Sequence, residues 1–246
     1  MPSKSGFPMA ELYETSLLLG SEHVDLHRRL RTSALFSLLQ QASIRHTEEL
    51  GMGREKTLDK GLLWVVTRQY VKIRRMPEYD ERVTVRSWPG ETMRVLFPRF
   101  YEILSETGET LVQASALWTL MDIRDRGFVF PEEHGIEIAG IETGREISYL
   151  EKIRPLPTDR QFTFDVPYSY IDLNGHMNNT RYFDLAEDHI DASIAGRPLR
   201  EIRMEYANEI RYGRTLTVDW GVDGSTYYLC GTQEKPCFKM LLQYEL

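Results

Sequence analysis

Apolar and polar positions follow the same succession of patterns twice along the chain. Residues 13–25 and residues 160–172 are strand-like, and each segment leads into a stretch in which apolar residues recur at i, i+3, i+4 and i+7. The two stripes consist of Leu35, Leu38, Leu39 and Ala42 in the first stretch and of Tyr182, Leu185, Ala186 and His189 in the second. We predict one helix in each half of the chain, with its stripe packed against the core.

Polar residues stand at the expected start of each helix. Thr32 or Ser33 is expected to cap the first helix. Asn178 or Asn179 is expected to cap the second. The acids of the second helix are expected to face solvent, and they are Asp184, Glu187, Asp188 and Asp191.

The two halves also match residue by residue. Aligning Asp25 with Asp172, an offset of 172 − 25 = 147, places Phe36 on Phe183 and Leu38 on Leu185. This coincidence of an acid and apolar positions indicates a duplication.

Strand-like runs with turn signals follow each predicted helix. The turn signals lie at residues 106–108, 126–127, 223–224 and 235–236. Residues 132–158 lack sustained periodicity and end near two prolines, as a linker would. We therefore predict an α+β protein with an N-terminal unit at 1–140, a linker at 141–158 and a C-terminal unit at 159–246, in which each sheet is covered by one helix.

Composition narrows the class of protein. The chain has 246 residues, of which 41% are hydrophobic, and a formal net charge of −7, which gives no support for nucleic-acid binding. It has no apolar run long enough for a membrane span and no recognisable signal peptide, so a cytoplasmic location is expected. Cys230 and Cys237 are too few for a disulfide framework and are expected to be free thiols.

Candidate chemistry lies just before the second predicted helix. Asp172, Asn174 and His176 occupy alternate positions, so in an extended segment their side chains would converge on one side. Gly175 allows the backbone to bend there. We expect the backbone N–H groups of Gly175, Met177 and Asn178 to stabilise an oxyanion. Each of these residues also has a structural explanation, since Asp and Asn gather at turns and caps and His176 could be a satisfied, partly buried histidine.

Five segments in fixed order resemble those of the acyl-ACP thioesterases, a double-hotdog family known from plant plastids and from bacteria. In this chain they read LLQQASIRHTEELG, LLWVVTRQYVKIRRMPEYDERVTVRSWPG, LVQASALWTLMDIRDRGFVFPEE, HMNNTRYF and MEYANEI. The resemblance implies a tandem double hotdog, each unit an antiparallel sheet wrapped around a long central helix. It also implies that the N-terminal unit lines the acyl pocket.

The resemblance places the family's catalytic Asp, Asn, His and Glu on four positions of the second half, which are Asp172, Asn174, His176 and Glu209. Many plant members carry a Cys after that Glu, but this chain has Ile210 there, which excludes a cysteine nucleophile at the position. At the matching positions the first half has Asp25, His27, Arg29 and Ile73, and it is therefore expected to keep the fold without the chemistry.

The expected activity is hydrolysis of fatty acyl-[acyl-carrier-protein], with release of the free fatty acid. Water would be activated by Glu209, or by His176 oriented by a carboxylate, while Asn174 positions the water or the carbonyl; a carboxylate nucleophile stays an alternative. An acyl-CoA thioesterase and a non-catalytic acyl-binding hotdog module are the competing interpretations. No cofactor or metal is expected.

Acyl carrier protein is the expected partner, with neither nucleic acid nor membrane. Exposed sheet edges could pair with a second chain as a homodimer. The carrier is acidic, so docking would need a basic patch. Two runs are candidates for it, Arg28, Arg29 and Arg31 in one and Lys72, Arg74 and Arg75 in the other.

Overall fold

The computed structural model describes residues 12–147 and 151–246. Ten strands are present within them: β1 (Tyr13–Leu18), β2 (Leu62–Ile73), β3 (Arg82–Pro89), β4 (Leu96–Ser105), β5 (Thr110–Asp122), β6 (Arg160–Asp165), β7 (Leu199–Tyr206), β8 (Thr215–Asp223), β9 (Thr226–Thr232) and β10 (Pro236–Tyr244). They form a single antiparallel sheet in the order β1-β3-β4-β5-β2-β7-β10-β9-β8-β6. The two halves of this order repeat each other in mirrored sequence, as the duplication predicts.

Strands β2 and β7 join the two halves at the centre of the sheet. Arg68 lies opposite Glu205, and Gln69 lies opposite Met204 in the antiparallel register. Because both halves contribute backbone hydrogen bonds to this seam, the two units share one sheet. The predicted α+β architecture of two sheet-and-helix units is confirmed.

The first helix, α1 (Thr32–Glu49), packs its apolar stripe against the sheet. Leu35, Leu39 and Ala42 are buried, as predicted, and Leu38 is partly buried against the same core. Phe36 also belongs to this face and stacks on Phe183 of the second helix, with ring centroids 3.7 Å apart. The residue pair that the 147-residue offset aligns therefore meets in the core.

The second helix is much shorter than predicted. It consists of α2 (Arg181–Glu187), and a separate helix, α3 (Ala192–Ala195), follows. Asp191 is the N-cap residue of α3, and its carbonyl accepts the N–H of Ile194. Asp residues favour caps and turns over helix interiors, which accounts for the break. His189, at the end of the predicted stripe, stacks on Phe162 with ring centroids 3.5 Å apart, which confirms its packing role.

The helix starts differ from the predictions. Arg31 is the N-cap of α1 and gives no side-chain cap; instead, the N–H of Thr32 donates to Glu187 Oε1 at 3.2 Å. Glu187 is therefore not a solvated acid, and burial raises the pKa of its carboxyl. Thr180 is the N-cap of α2, and Asn178 Oδ1 accepts the N–H of Thr180 at 2.9 Å. No helix of the described ranges is long and apolar enough to cross a membrane.

Candidate active site

The segment predicted to carry the chemistry is a tight hairpin before α2. Ile171 bridges Met177, and the N–H of Asp172 donates to the carbonyl of His176. Gly175 has a φ of 83°, a conformation that favours glycine. Asp172 Oδ1 accepts the N–H of Asn174 at 2.8 Å, so Asp172 holds the turn in shape. The hairpin replaces the extended segment that we predicted, yet it brings the same three polar side chains to one cavity.

His176 and Glu209 meet in that cavity. Glu209 lies in the loop after β7, and its Oε1 is 3.1 Å from Nε2 of His176. Nε2 is buried and forms no hydrogen bond within the described residues, since Glu209 lies outside hydrogen-bonding geometry. The adjacent carbonyl of Ile210 accepts the N–H of Met177 at 2.8 Å, which clips the Glu209 loop to the hairpin. The imidazole and the carboxylate are thus held together by the backbone.

Arg126 adds a cation that the sequence did not indicate. It lies in the turn after β5, in the first half, and its Nη1 is 2.8 Å from Glu209 Oε1. The Arg126-Gly127 pair was recognised as a turn signal, but nothing local to that turn points to Glu209. The carboxylate is therefore flanked by an imidazole from its own unit and a guanidinium from the other.

The backbone amides predicted to hold an oxyanion are engaged elsewhere. The N–H of Gly175 donates to Asp172, that of Met177 to Ile210 and that of Asn178 to Tyr170, each to a main-chain carbonyl. All three donors form hydrogen bonds within the hairpin segment or between the hairpin and the neighbouring loop. The structure therefore leaves none of them free for a substrate oxygen.

Other donors border the same space. The side-chain amides of Asn174 and Asn179 line the cavity, and neither forms a hydrogen bond with the residues that the structure describes. The indole Nε1 of Trp64 is buried and has no hydrogen-bond partner there either. An unpaired buried donor such as the Trp64 N–H is rare, and the amides of Asn174 and Asn179 are partly exposed, so these groups are available to a ligand.

Two cavities meet at these donors. One cavity, about 460 Å³, contains His176, Glu209 and Arg126, and we call it the catalytic cavity because the candidate catalytic residues line it. A second cavity of about 230 Å³ extends between α1 and the first half of the sheet, and we call it the acyl cavity after the chain that the resemblance predicts in this half. The residues common to both linings are Leu63, Trp64, Asp172, Asn174 and Asn179. A ligand at the junction would therefore reach into both halves of the molecule.

The first half preserves the hairpin and lacks the chemical groups. Arg28 takes the place of Gly175, with a φ of 63°, and Asp25 Oδ1 accepts the N–H of His27 as Asp172 does for Asn174. Arg29 replaces His176 and donates to the carbonyls of residues 195–197.

The counterpart of Glu209 is Met76 rather than Ile73. The N–H of Leu30 donates to the carbonyl of Pro77 just as that of Met177 donates to Ile210, so the residue before Pro77 corresponds to Glu209. Six basic residues were proposed from sequence for carrier docking, and three of them, Arg29, Arg74 and Arg75, line a cavity beside the first half's hairpin. None of the three lines the catalytic cavity.

Neither cysteine offers a reactive thiolate. Both are free, as predicted. Cys237 lines the catalytic cavity, which the sequence did not indicate, but it is buried, its Sγ donates to the carbonyl of Lys235, and burial raises the pKa of its thiol. A thiol with a raised pKa is a poor nucleophile. Ile210 is fully buried in the core at the position where many relatives have cysteine.

Two family models match the chain. The acyl-ACP thioesterase N-terminal domain matches residues 10–132, and the acyl-ACP thioesterase C-terminal domain matches residues 154–234. Their junction falls between β5 and β6, where the chain passes from one unit to the other.

Curated plant proteins are similar over most of the chain. An acyl-[acyl-carrier-protein] hydrolase of Cuphea viscosissima is 25% identical over 87% of this chain and 55% of its own length. A dodecanoyl-[acyl-carrier-protein] hydrolase of Cinnamomum camphora is 27% identical over 82% of this chain and 57% of its own length. The chain thus spans about half the length of the curated relatives it matches.

Solved structures share the fold. An acyl-ACP thioesterase from Bacteroides thetaiotaomicron superposes with a TM-score of 0.86 at 20% identity, covering 95% of this chain and 98% of its own. The 12:0-ACP thioesterase of Umbellularia californica gives a TM-score of 0.81 at 20% identity, covering 95% of this chain and 97% of its own. These likenesses confirm the predicted tandem double hotdog.

Proposed function

The chain belongs to the acyl-ACP thioesterase family, and on that premise we propose that it hydrolyses the thioester between a fatty acyl chain and acyl carrier protein. The observation that carries the proposal is the 3.1 Å approach of His176 Nε2 to Glu209 Oε1 at the junction of two cavities. The matched plant proteins are named as hydrolases of acyl-[acyl-carrier-protein]. Residues 1–140 form the acyl-binding unit in this proposal, 141–158 the linker and 159–246 the catalytic unit.

Water is the nucleophile in this scheme. Glu209 or His176 takes a proton from the water as it attacks the carbonyl carbon, and the C–S bond then breaks with the thiolate as leaving group. Nε2 of His176 has no hydrogen-bond partner among the described residues, which leaves it available to the water. Arg126, 2.8 Å from Glu209, restrains the carboxylate and keeps it from turning away from the imidazole.

The carbonyl oxygen is held by side chains rather than by the hairpin amides. Asn174 and Asn179 border both cavities, and so does Trp64, whose buried indole N–H has no partner within the described ranges. Donors that are fixed before the reaction and aimed at a developing negative charge can lower the barrier substantially. We therefore assign these three side chains to the carbonyl, with Asp172 as the positioning residue that shapes the turn.

The two cavities divide the substrate between them. The acyl chain occupies the acyl cavity, whose lining is rich in apolar and aromatic groups such as Leu62 and Phe97. The carrier arm enters through the catalytic cavity. Arg211, Arg214 and Lys235 are exposed on the lining of that cavity, and we propose them as the docking surface for an acidic carrier. A cytoplasmic location also remains a proposal, supported by the free thiols.

Free-thiol release from a panel of acyl-ACP and acyl-CoA substrates tests the function. The wild-type protein should turn over acyl-ACP, and His176→Ala and Glu209→Gln should each lower kcat by about 10²- to 10⁴-fold, the usual contribution of general acid–base catalysis. His27→Ala is the matched control, because His27 is exposed in the first half's hairpin.

Each contrary outcome removes a different part of the proposal. No turnover of any thioester by the wild type would leave an acyl-binding module. Turnover that survives both substitutions would reject the site. Preference for acyl-CoA over acyl-ACP at every chain length would reject the carrier as substrate.

A further inference from the structure

The acyl cavity contains a buried cation that a plain alkyl chain does not require. Arg99 lies on β4 and lines this cavity, but not the catalytic one, with only 4% of its surface exposed. It is therefore not one of the residues that the two cavities share. Charged residues are seldom buried this completely without a partner of opposite charge.

Among the described residues, the hydrogen-bond partners of the guanidinium are neutral. Nη1 donates to Nδ1 of His46 and to Oγ of Ser87, both at 3.1 Å, and Nη2 donates to Oγ1 of Thr47 at 3.2 Å. Because arginine can only donate, His46 must accept through an unprotonated Nδ1. No ion pair formed among the described residues includes Arg99. A guanidinium has five N–H donors, so two of them have no partner in this part of the chain.

The position of this cation has a physical consequence. Desolvation lowers the pKa of Arg99, which means that the surroundings do not compensate the charge fully. An apolar side chain would fill the space between α1 and the sheet without that penalty. The penalty disappears when a ligand brings an oxygen acceptor to the free N–H groups, most completely when that oxygen is anionic.

The rest of the cavity fits such an oxygen. Gln40, Ser43 and Thr57 contribute polar side chains to the lining beside the apolar wall. Thr47 Oγ1 accepts from Arg99 and donates to the carbonyl of Ser43 at 2.7 Å, and Ser43 Oγ lies 2.6 Å from the hydroxyl of Tyr101. A methyl-ended chain placed here would shield the unpaired N–H donors from water without offering them an acceptor, so their desolvation would not be compensated.

We propose that the acyl chain hydrolysed by this protein carries an oxygen acceptor away from the thioester, held by Arg99, with a terminal carboxylate as its best complement. A hydroxyl or oxo group on the chain would also accept a hydrogen bond from Arg99, but a weaker one than a carboxylate accepts. The inference rests on the proposed thioesterase function and narrows its substrate class. Arg99 is a specificity-determining residue in this assignment and takes no part in the chemical step.

The test compares acyl-ACP substrates that are matched in carbon number and end in a carboxylate, a hydroxyl or a methyl group. The wild type should favour the carboxylate-ended chain over the methyl-ended one by about 10- to 100-fold in kcat/KM, the magnitude of a charge-assisted hydrogen bond. Arg99→Met should reverse this order by weakening turnover of the carboxylate-ended chain while sparing the methyl-ended one. If the hydroxyl-ended chain is favoured instead, the acceptor is neutral and the assignment of Arg99 stands.

Two controls distinguish recognition from a purely structural role. Arg54→Met removes a solvent-exposed arginine from the same cavity lining and should leave the order of substrates unchanged. Arg99→Lys keeps a positive charge and should retain part of the preference for the carboxylate-ended chain. If Arg99 only packs in the core, both Arg99 variants should be less stable and the order of substrates should not change. If the wild type hydrolyses the methyl-ended chain best, this inference is overturned and the thioesterase proposal stays intact. If the wild type hydrolyses none of the substrates, the thioesterase proposal itself is overturned.

Discussion

Nη1 of Arg126 lies 2.8 Å from Oε1 of Glu209, although the two residues belong to different halves of the duplicated chain. The turn after β5 carries the arginine, and the loop after β7 carries the carboxylate. The pairing of β2 with β7 brings these two loops together. Neither half alone would assemble the catalytic cavity, because both halves line it although only the second has the candidate catalytic groups.

Replacing Arg126 should therefore impair the chemical step. Arg126→Met is expected to lower kcat by about tenfold, a modest figure because the ion pair is partly exposed to solvent. The loss should be equal on acyl-ACP and on short soluble thioesters, since Arg126 acts through Glu209 rather than on the carrier. Arg124→Met is the control, because Arg124 is exposed and pairs with Asp122. Similar losses in both variants, or a loss confined to acyl-ACP, would contradict this role.

Asp172 and Asp25 allow turn formation to be separated from chemistry. Each carboxylate accepts a backbone N–H two residues ahead, so Asp172→Ala and Asp25→Ala should each lower the free energy of unfolding by about 1 kcal/mol. Only Asp172→Ala should also lose activity, because Asn174 and His176 depend on that turn. Asp172→Asn keeps the accepting oxygen and should retain most of the turnover, measured beside urea unfolding. An inactive but stable Asp172→Asn protein would instead give the carboxylate a chemical role.

Gly175 provides a second test of the hairpin. It has a φ of 83°, and an added Cβ would meet no atom within 4 Å, so the cost of Gly175→Ala comes from the backbone alone. We expect a loss of about 1–2 kcal/mol in unfolding free energy together with reduced kcat. Arg28→Gly, at the matching position with a φ of 63°, should not destabilise the protein. If Arg28→Gly were as destabilising as Gly175→Ala, the left-handed backbone would not be the cause.

Glu187 should make stability depend on pH. Burial raises the pKa of its carboxyl in the folded protein, so its contribution to stability is fully present below the unfolded pKa, about 4.5, and is lost as pH rises through the folded pKa. Glu187→Gln keeps an oxygen for the N–H of Thr32 and removes the ionisation. Urea unfolding across this range should show the variant gaining stability relative to wild type as pH rises. Asp188→Asn, which changes an exposed acid, should follow the wild-type curve; parallel curves for Glu187→Gln and wild type would refute the prediction.

Much of the architecture could be predicted from the sequence because the patterns that indicate it are local. The alternation of apolar residues, the turn residues and the helical stripes each depend on near neighbours in the chain, so they predicted the two units and most of the turns. The alignment of the two halves paired Phe36 with Phe183, but only the structure shows that their rings stack. The resemblance between ordered segments likewise identified the family before any contact was known.

The details of the site required the tertiary structure. Asp172, Asn174 and His176 could be grouped from sequence because one hairpin holds all three, whereas the approach of Glu209 to Arg126 depends on residues far apart in the chain. The hairpin amides donate to carbonyls that the sequence did not indicate, as the N–H of Met177 does to Ile210 in the neighbouring loop.

The sequence by itself determined the repeated units, the family and the short segment before the second helix that carries the candidate chemistry. Only the tertiary structure decided which donors stay free, that Met76 rather than Ile73 replaces Glu209, and that Arg99 lies buried in the acyl cavity without a counter-ion among the described residues. The physical reason is that hydrogen-bond satisfaction and burial depend on every group packed nearby, whereas periodicity depends on the adjacent turns of one segment.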